Sequence, residues 1–146
     1  MGGLAGRNPV TWDQLQVGAV AAPRVDEPLT ITDFVRYQGA SGDMNPIHHD
    51  PAFARKAGYD QPIAIGMLAA GRAATYLTDW LGPQDIRVFG VRFMEVAWPG
   101  DVLVYAGKVT GRREPPGERL VDVEIACARQ AGGQHLTAWA TVVVHS

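Results

Sequence analysis

Ile65-Gly66-Met67-Leu68-Ala69-Ala70-Gly71-Arg72-Ala73-Ala74-Thr75-Tyr76-Leu77-Thr78-Asp79-Trp80-Leu81 is the stretch whose reading decides the fold. Leu68, Ala69, Ala73, Tyr76, Leu77 and Trp80 recur at spacings of three and four, which is the helical period, and Gly82-Pro83 closes the helix. Few of its positions are polar, and Gly66, Ala69, Ala70, Gly71, Ala73 and Ala74 are small enough for a sheet or partner backbone to approach closely on more than one side. A helix that is apolar on nearly all faces cannot sit on a surface, so it predicts a buried central helix.

Downstream the period changes from helical to alternating. Val88 to Val96, Asp101 to Thr110, Arg119 to Arg129 and His135 to Val144 are rich in β-branched and aromatic residues and read as four strands. Pro99-Gly100-Asp101, Pro115-Pro116-Gly117 and Gly132-Gly133 are turn signals between successive runs, which predicts an antiparallel meander. An N-terminal strand around Val17 to Pro28 completes the sheet. Upstream of the long helix, Thr30 or Thr32 caps a short helix that runs through Tyr37 and ends near Gly39. A second short helix starts at Asp50 as N-cap with Pro51 in the first turn, and stops at Gly58. About five antiparallel strands and one apolar helix make an α+β domain whose sheet must curl around the helix, the hot-dog arrangement.

Composition bounds the function classes. The chain has 146 residues, 47% hydrophobic and 19% charged, with net charge −2, which predicts a single globular domain over residues 1–146. That balance excludes a disordered tail, a coiled coil and a strongly basic nucleic-acid binder. The longest uncharged apolar stretch, Ile63 to Gly71, has nine residues, against about 20 for a membrane helix. The N-terminus lacks a basic segment followed by an apolar run, so a cytoplasmic protein is expected. Cys127 is the lone cysteine and is expected to be a core thiol; His135 and His145 have no ligand partner at a useful spacing, so no metal is expected. No Gly-rich phosphate loop or dinucleotide fingerprint is present, and no cofactor is expected.

The polar residues concentrate in one loop, Ala40-Ser41-Gly42-Asp43-Met44-Asn45-Pro46-Ile47-His48-His49-Asp50. Asp43 and His48 are five apart with a turn-favouring Asn45-Pro46 step between them, so a carboxylate and an imidazole can converge on one small-molecule site. Such a pair can hold a water, take its proton and return a proton to carbon. The same letters also describe an Asx turn with solvated histidines.

This loop, followed by Gly66-Met67-Leu68, closely resembles the MaoC-like family of dehydratases and (R)-specific enoyl-CoA hydratases. The family pattern A-S-G-D-x-N-P-x-H-x-D is matched by Ala40 to Asp43, Asn45, Pro46, His48 and Asp50, and continues in Ala54, Gly58, Ile63, Gly66, Met67 and Leu68. Its later strand signature has a counterpart in Val91-Arg92-Phe93 through Val96, Pro99, Gly100 and Asp101. The resemblance implies two hot dogs side by side, as a homodimer or a heterodimer with a related subunit. It also implies reversible addition of water across the 2,3 double bond of an acyl-CoA or acyl-carrier-protein thioester. Asp43 and His48 match the catalytic dyad. Gly66, at the helix start, is the expected oxyanion donor through its backbone N–H. Asn45 is expected to hold the loop, Ile65 and Met67 to contact substrate, and His49 to stand outside the chemistry. Ile65 departs from the family's histidine, and Ala74 stands where some members carry a serine supporting the catalytic histidine. Two other readings share the fold: an acyl-CoA thioesterase, and one subunit of a heteromeric hydratase that needs a degenerate partner.

Overall fold

The computed structural model describes residues 10–82 and 84–145; Pro83 and the glycine-rich start fall outside them. Five strands, β1 (Arg24–Val25), β2 (Asp85–Phe93), β3 (Leu103–Arg113), β4 (Leu120–Arg129) and β5 (Gln134–Val143), form one antiparallel sheet in the order β1-β3-β4-β5-β2. Three helices precede β2: α1 (Ile31–Ser41), α2 (Pro51–Lys56) and α3 (Gly66–Leu81). The sheet curls around α3. This is the hot-dog fold.

Period-two burial along β3, β4 and β5 turns Leu103, Tyr105, Val109, Val121, Val123, Ile125, Cys127, Leu136, Ala138, Ala140 and Val142 inward. They enclose Ala69, Ala73, Tyr76, Leu77 and Leu81 of α3 in one core. Gly107 in β3 explains how the helix comes so near the sheet: a Cβ there would stand 2.9 Å from the Trp80 ring and 3.1 Å from that of Tyr76. The Gly107 N–H donates to the Tyr76 hydroxyl, which in turn donates to the carbonyl of Ala22. The opposite stripe of α3, Met67, Gly71, Thr75 and Thr78, is exposed, so the helix is buried on less of its circumference than its apolar sequence predicts.

The meander expectation holds only for β3-β4-β5. Strand β2 pairs with β5 from Asp85 to Phe93 and sits at the far edge of the sheet from β3. Residues 94–102 therefore cross from the β2 edge past β5 and β4 to β3 instead of closing a hairpin. Their backbone is engaged elsewhere: the Ala97 carbonyl accepts from Ala64 N–H, and Leu29 exchanges bonds with Gly100 and Asp101. Gly100, with φ of 91°, does turn the chain, but the turn serves this crossing, with the Asp101 carboxylate accepting from Trp98 N–H. Because β2 ends at Phe93, three residues short of Val96, Met94, Glu95 and Val96 are free to pass the start of α3.

Smaller differences have similar causes. Helix α1 begins at the Thr30 cap but continues past Gly39 to Gly42, which takes the left-handed φ of 79° that terminates it. The N-terminal strand shrinks to Arg24–Val25 plus an isolated bridge from Val20 to Lys108. Helix α2 has its expected bounds, with the Asp50 carboxylate accepting from Ala52 and Phe53 N–H.

Candidate active site

The loop between α1 and α2 is folded by its own short side chains. Asp43 Oδ1 accepts from Asn45 N–H at 3.3 Å, and Asn45 Oδ1 accepts from Ile47 N–H at 3.1 Å, capping a single 3₁₀ turn over Pro46–His48. Pro46 sits in its first turn, where a missing N–H costs nothing. That turn swings His48 inward until only 9% of it is exposed, whereas Asp43 stays half-exposed.

His48 Nδ1 lies 2.8 Å from the carbonyl oxygen of Ile63. A carbonyl only accepts, so Nδ1 carries a proton, and in the tautomer this selects Nε2 is the nitrogen with the lone pair. That nitrogen faces Asp43 Oδ2 at 3.9 Å, beyond hydrogen-bond range. A water lying beside the line that joins them reaches both at about 2.8 Å.

Both groups line a cleft of about 370 Å3 whose other walls are Ile63 to Met67 at the start of α3 and the crossing segment Met94 to Val96 with Phe93. Ile65, which replaces the family's histidine, is buried to 2% exposure, and Met67 is 57% exposed at the mouth. No side chain caps α3, so the N–H groups of Gly66 and Met67 open onto the cleft with the positive end of the helix dipole behind them. A Cβ at Gly66 would stand 2.7 Å from the Phe93 ring, which leans over the helix start.

Two residues beyond the sequence reading belong to this site. Gln38, on the inner face of α1 and 1% exposed, donates from Nε2 to the carbonyls of Asp43 (2.8 Å) and Asn45 (3.0 Å). Its Oε1 accepts from His49 Nδ1 at 2.8 Å. His49 therefore orients the clamp that holds the loop, and is not a bystander to it. A glutamine amid the helix's apolar positions was the available signal. His135, read as an isolated strand-end residue, lines the same cleft from β5 at 3% exposure, its Nδ1 donating to the Glu95 carbonyl at 2.7 Å. Its pKa lies below the usual histidine value, chiefly because burial disfavours the charged ring, so it is neutral.

Elsewhere the functional candidates thin out. Cys127 is buried and its thiol is pushed up to about 12, mainly by burial. His145 pairs with Asp85 at 3.0 Å on the surface. Among the described residues no three His, Cys, Asp or Glu side chains form a metal-binding group, and no helix is long and apolar enough to cross a membrane.

Fold and cleft together define a hot-dog protein with a carboxylate facing an imidazole beside an uncapped helix start. The chain belongs to the MaoC-like domain family, whose model matches residues 14–128. It is similar to the enoyl-CoA hydratase ChsH3 of Mycobacterium tuberculosis, 39% identical over 75 residues that cover 49% of this chain and 26% of that protein. It thus spans about a quarter of the length of that curated relative. Among solved structures, the (R)-hydratase from A. caviae involved in PHA biosynthesis superposes with a TM-score of 0.79 at 26% identity, covering 89% of this chain and 97% of that one. A chain of the ChsH1-ChsH2 complex from Mycobacterium tuberculosis gives 0.78 at 25% identity, covering 89% and 98%.

Proposed function

We propose that this chain is a hydro-lyase that interconverts a 2-enoyl thioester, of coenzyme A or an acyl-carrier protein, with the (3R)-3-hydroxyacyl thioester. The observation that carries the reading is the 3.9 Å approach of Asp43 Oδ2 to His48 Nε2, which lets both reach one water lying beside the pair, next to the open N–H groups of α3. The names of its relatives, a hydratase by sequence and an (R)-hydratase by structure, support the same chemistry.

Hydration needs a hydroxyl delivered to the β-carbon, a proton to the α-carbon, and a stabilised enolate oxygen between the two steps. The water bridging Asp43 and His48 loses a proton to the pair as its oxygen bonds to the β-carbon. Electron density moves onto the thioester oxygen, where Gly66 N–H and the helix dipole receive it. The pair then returns the proton to the α-carbon on the same face, and the charge on the oxygen collapses. Atoms balance, and neither group is consumed. Fixing His48 Nδ1 on the Ile63 carbonyl keeps Nε2 aimed at the water. Asn45 holds the turn between the two reacting groups, and Ile65 and Met67 contact the acyl thioester.

A second hot-dog subunit, a copy of this chain or a related one, completes the protein. Strand β2 is an open edge, and Ile86 and Val88 on it are exposed apolar side chains of the kind an intersubunit sheet covers. One structural relative is itself a chain of a complex, ChsH1-ChsH2, which supports this arrangement. The test is incubation of the purified protein with 2-enoyl-CoAs of graded length. Loss of enoyl absorbance and a 3R product are expected. Release of free thiol from saturated acyl-CoA, with no hydration, overturns the reading in favour of a thioesterase.

A further inference from the structure

His135 Nε2 is buried and has no hydrogen-bond partner. Its ring is fixed by the Nδ1–H bond to the Glu95 carbonyl, so in the neutral ring Nε2 is an acceptor and never a donor. The charged groups nearest in effect, Asp101 and Arg129, oppose each other, and Arg129 is bound to the Asp101 carboxylate at 2.7 Å, so neither takes up the lone pair. An acceptor left unpaired in the interior is a cost that a matching donor removes.

Its position says where that donor would come from. His135, Ala64 and Ile65 line both the cleft and a closed crevice between α3 and the sheet, which is bounded further by Leu29, Leu68, Ala69, Leu103 and Arg72 and is too narrow for a water molecule; the Arg72 guanidinium is engaged by the Asp26 carboxylate. His135, Ala64 and Ile65 therefore form the partition between the reaction cleft and that crevice. The mouth lies on the opposite side, at exposed Met67, Phe93 and Met94. A polar pantetheine arm tied to a bulky carrier stays at the mouth, so the group that reaches the partition is the acyl chain.

Resting on the hydratase reading, we infer that His135 is a specificity-determining residue: its Nε2, which neighbouring groups cover in this structure, accepts a hydrogen bond from a hydroxyl carried on the acyl chain beyond the reacting carbons once the entering chain parts them. The preferred substrate class is then a hydroxylated enoyl thioester. A carbonyl or carboxylate at the same place presents only acceptors to an acceptor and is disfavoured.

The experiment compares 2-enoyl-CoAs with their analogues bearing one hydroxyl at each successive carbon beyond the reacting pair, in the wild type, His135→Phe and His135→Gln. At one position the hydroxyl is expected to raise wild-type kcat/KM by at least about tenfold, a modest part of what a buried hydrogen-bonding site can discriminate. Phenylalanine, which lacks the acceptor, loses that advantage, so that its kcat/KM for the hydroxylated substrate falls to that for its own unsubstituted parent; glutamine, which keeps an acceptor, retains part of it. No preference at any position in the wild type overturns the inference, as does a preference that persists in His135→Phe. The wild-type comparison and the glutamine variant stand even if the phenylalanine variant fails to fold. If the wild type hydrates none of the parents, it is the hydratase reading that fails. Calorimetric binding of the corresponding saturated pairs then decides His135 separately, equal affinity for both members overturning its role.

Discussion

Replacing Gln38 by leucine separates holding the catalytic loop from merely folding it. The substitution keeps volume and removes three hydrogen bonds, two to the carbonyls of Asp43 and Asn45 and one from His49 Nδ1. At a net contribution of about 0.5–1.5 kcal/mol each, their loss lowers stability by about 2–4 kcal/mol. A domain with about 5–15 kcal/mol in hand stays folded. The kinetic effect follows from geometry: the Asp43 and Asn45 carbonyls flank the carboxylate that faces His48, and a displacement of about 1 Å in a positioned group costs on the order of a hundredfold. We expect kcat to fall between about ten- and a hundredfold with KM little changed. Denaturant unfolding measures the first quantity and enoyl-CoA hydration the second. A control isolates the mechanism: in a His48→Ala background, Gln38→Leu still lowers stability but no longer alters the residual rate. If Gln38→Leu loses stability yet keeps wild-type kcat, the clamp has no part in positioning the site and the reasoning is wrong.

Gly66→Val drives the Phe93 ring off the helix start and places a branched side chain over its N–H groups, so kcat falls by about ten- to a hundredfold while KM changes less; unchanged kcat removes the oxyanion site from α3. Sedimentation of the purified chain, alone and with a related subunit, shows a dimer through the β2 edge, and a fully active monomer contradicts that arrangement. Because burial lowers the His135 pKa, the unfolded chain takes up a proton first as pH drops below about 6.5. Its share of stability is thus complete above that pH and declines below it, by at most about 1.4 kcal/mol per pH unit until the folded-state pKa is reached. His135→Phe removes that share of the slope, and an identical pH profile for the variant refutes the assignment.

Legibility in the sequence tracked how local each signal is. Asp50, Pro51 and Gly58 bound α2 through contacts within a turn, and periodicity over Ile65 to Leu81 places α3 to within one residue of its start. The placing of β2 against β5 could not be read this way. A turn signal at Pro99-Gly100 says that the chain bends, whereas the neighbour a strand chooses depends on Ala64, Leu29 and the β5 ladder, all far away in sequence. The loop letters announced a polar cluster, and the family resemblance singled out Asp43 and His48; their 3.9 Å separation rests on the 3₁₀ turn that Asn45 caps. Gln38 passes unremarked in the sequence, and His135 reads there as an isolated strand-end histidine, for one reason. Each lies within a regular element, and its meaning comes from what the fold brings opposite: the loop carbonyls for Gln38, and Glu95 with the helix start for His135.

The dyad is tested most directly by single-turnover hydration of a 2-enoyl-CoA by the wild type, Asp43→Asn and His48→Ala, with unfolding measured alongside. If Asp43 and His48 hold and deprotonate one water between them, each variant loses at least about a hundredfold in rate. Folding is retained, because Asp43 is half-exposed and the loop lies outside the core beneath α3. Near-normal turnover by either variant contradicts the account.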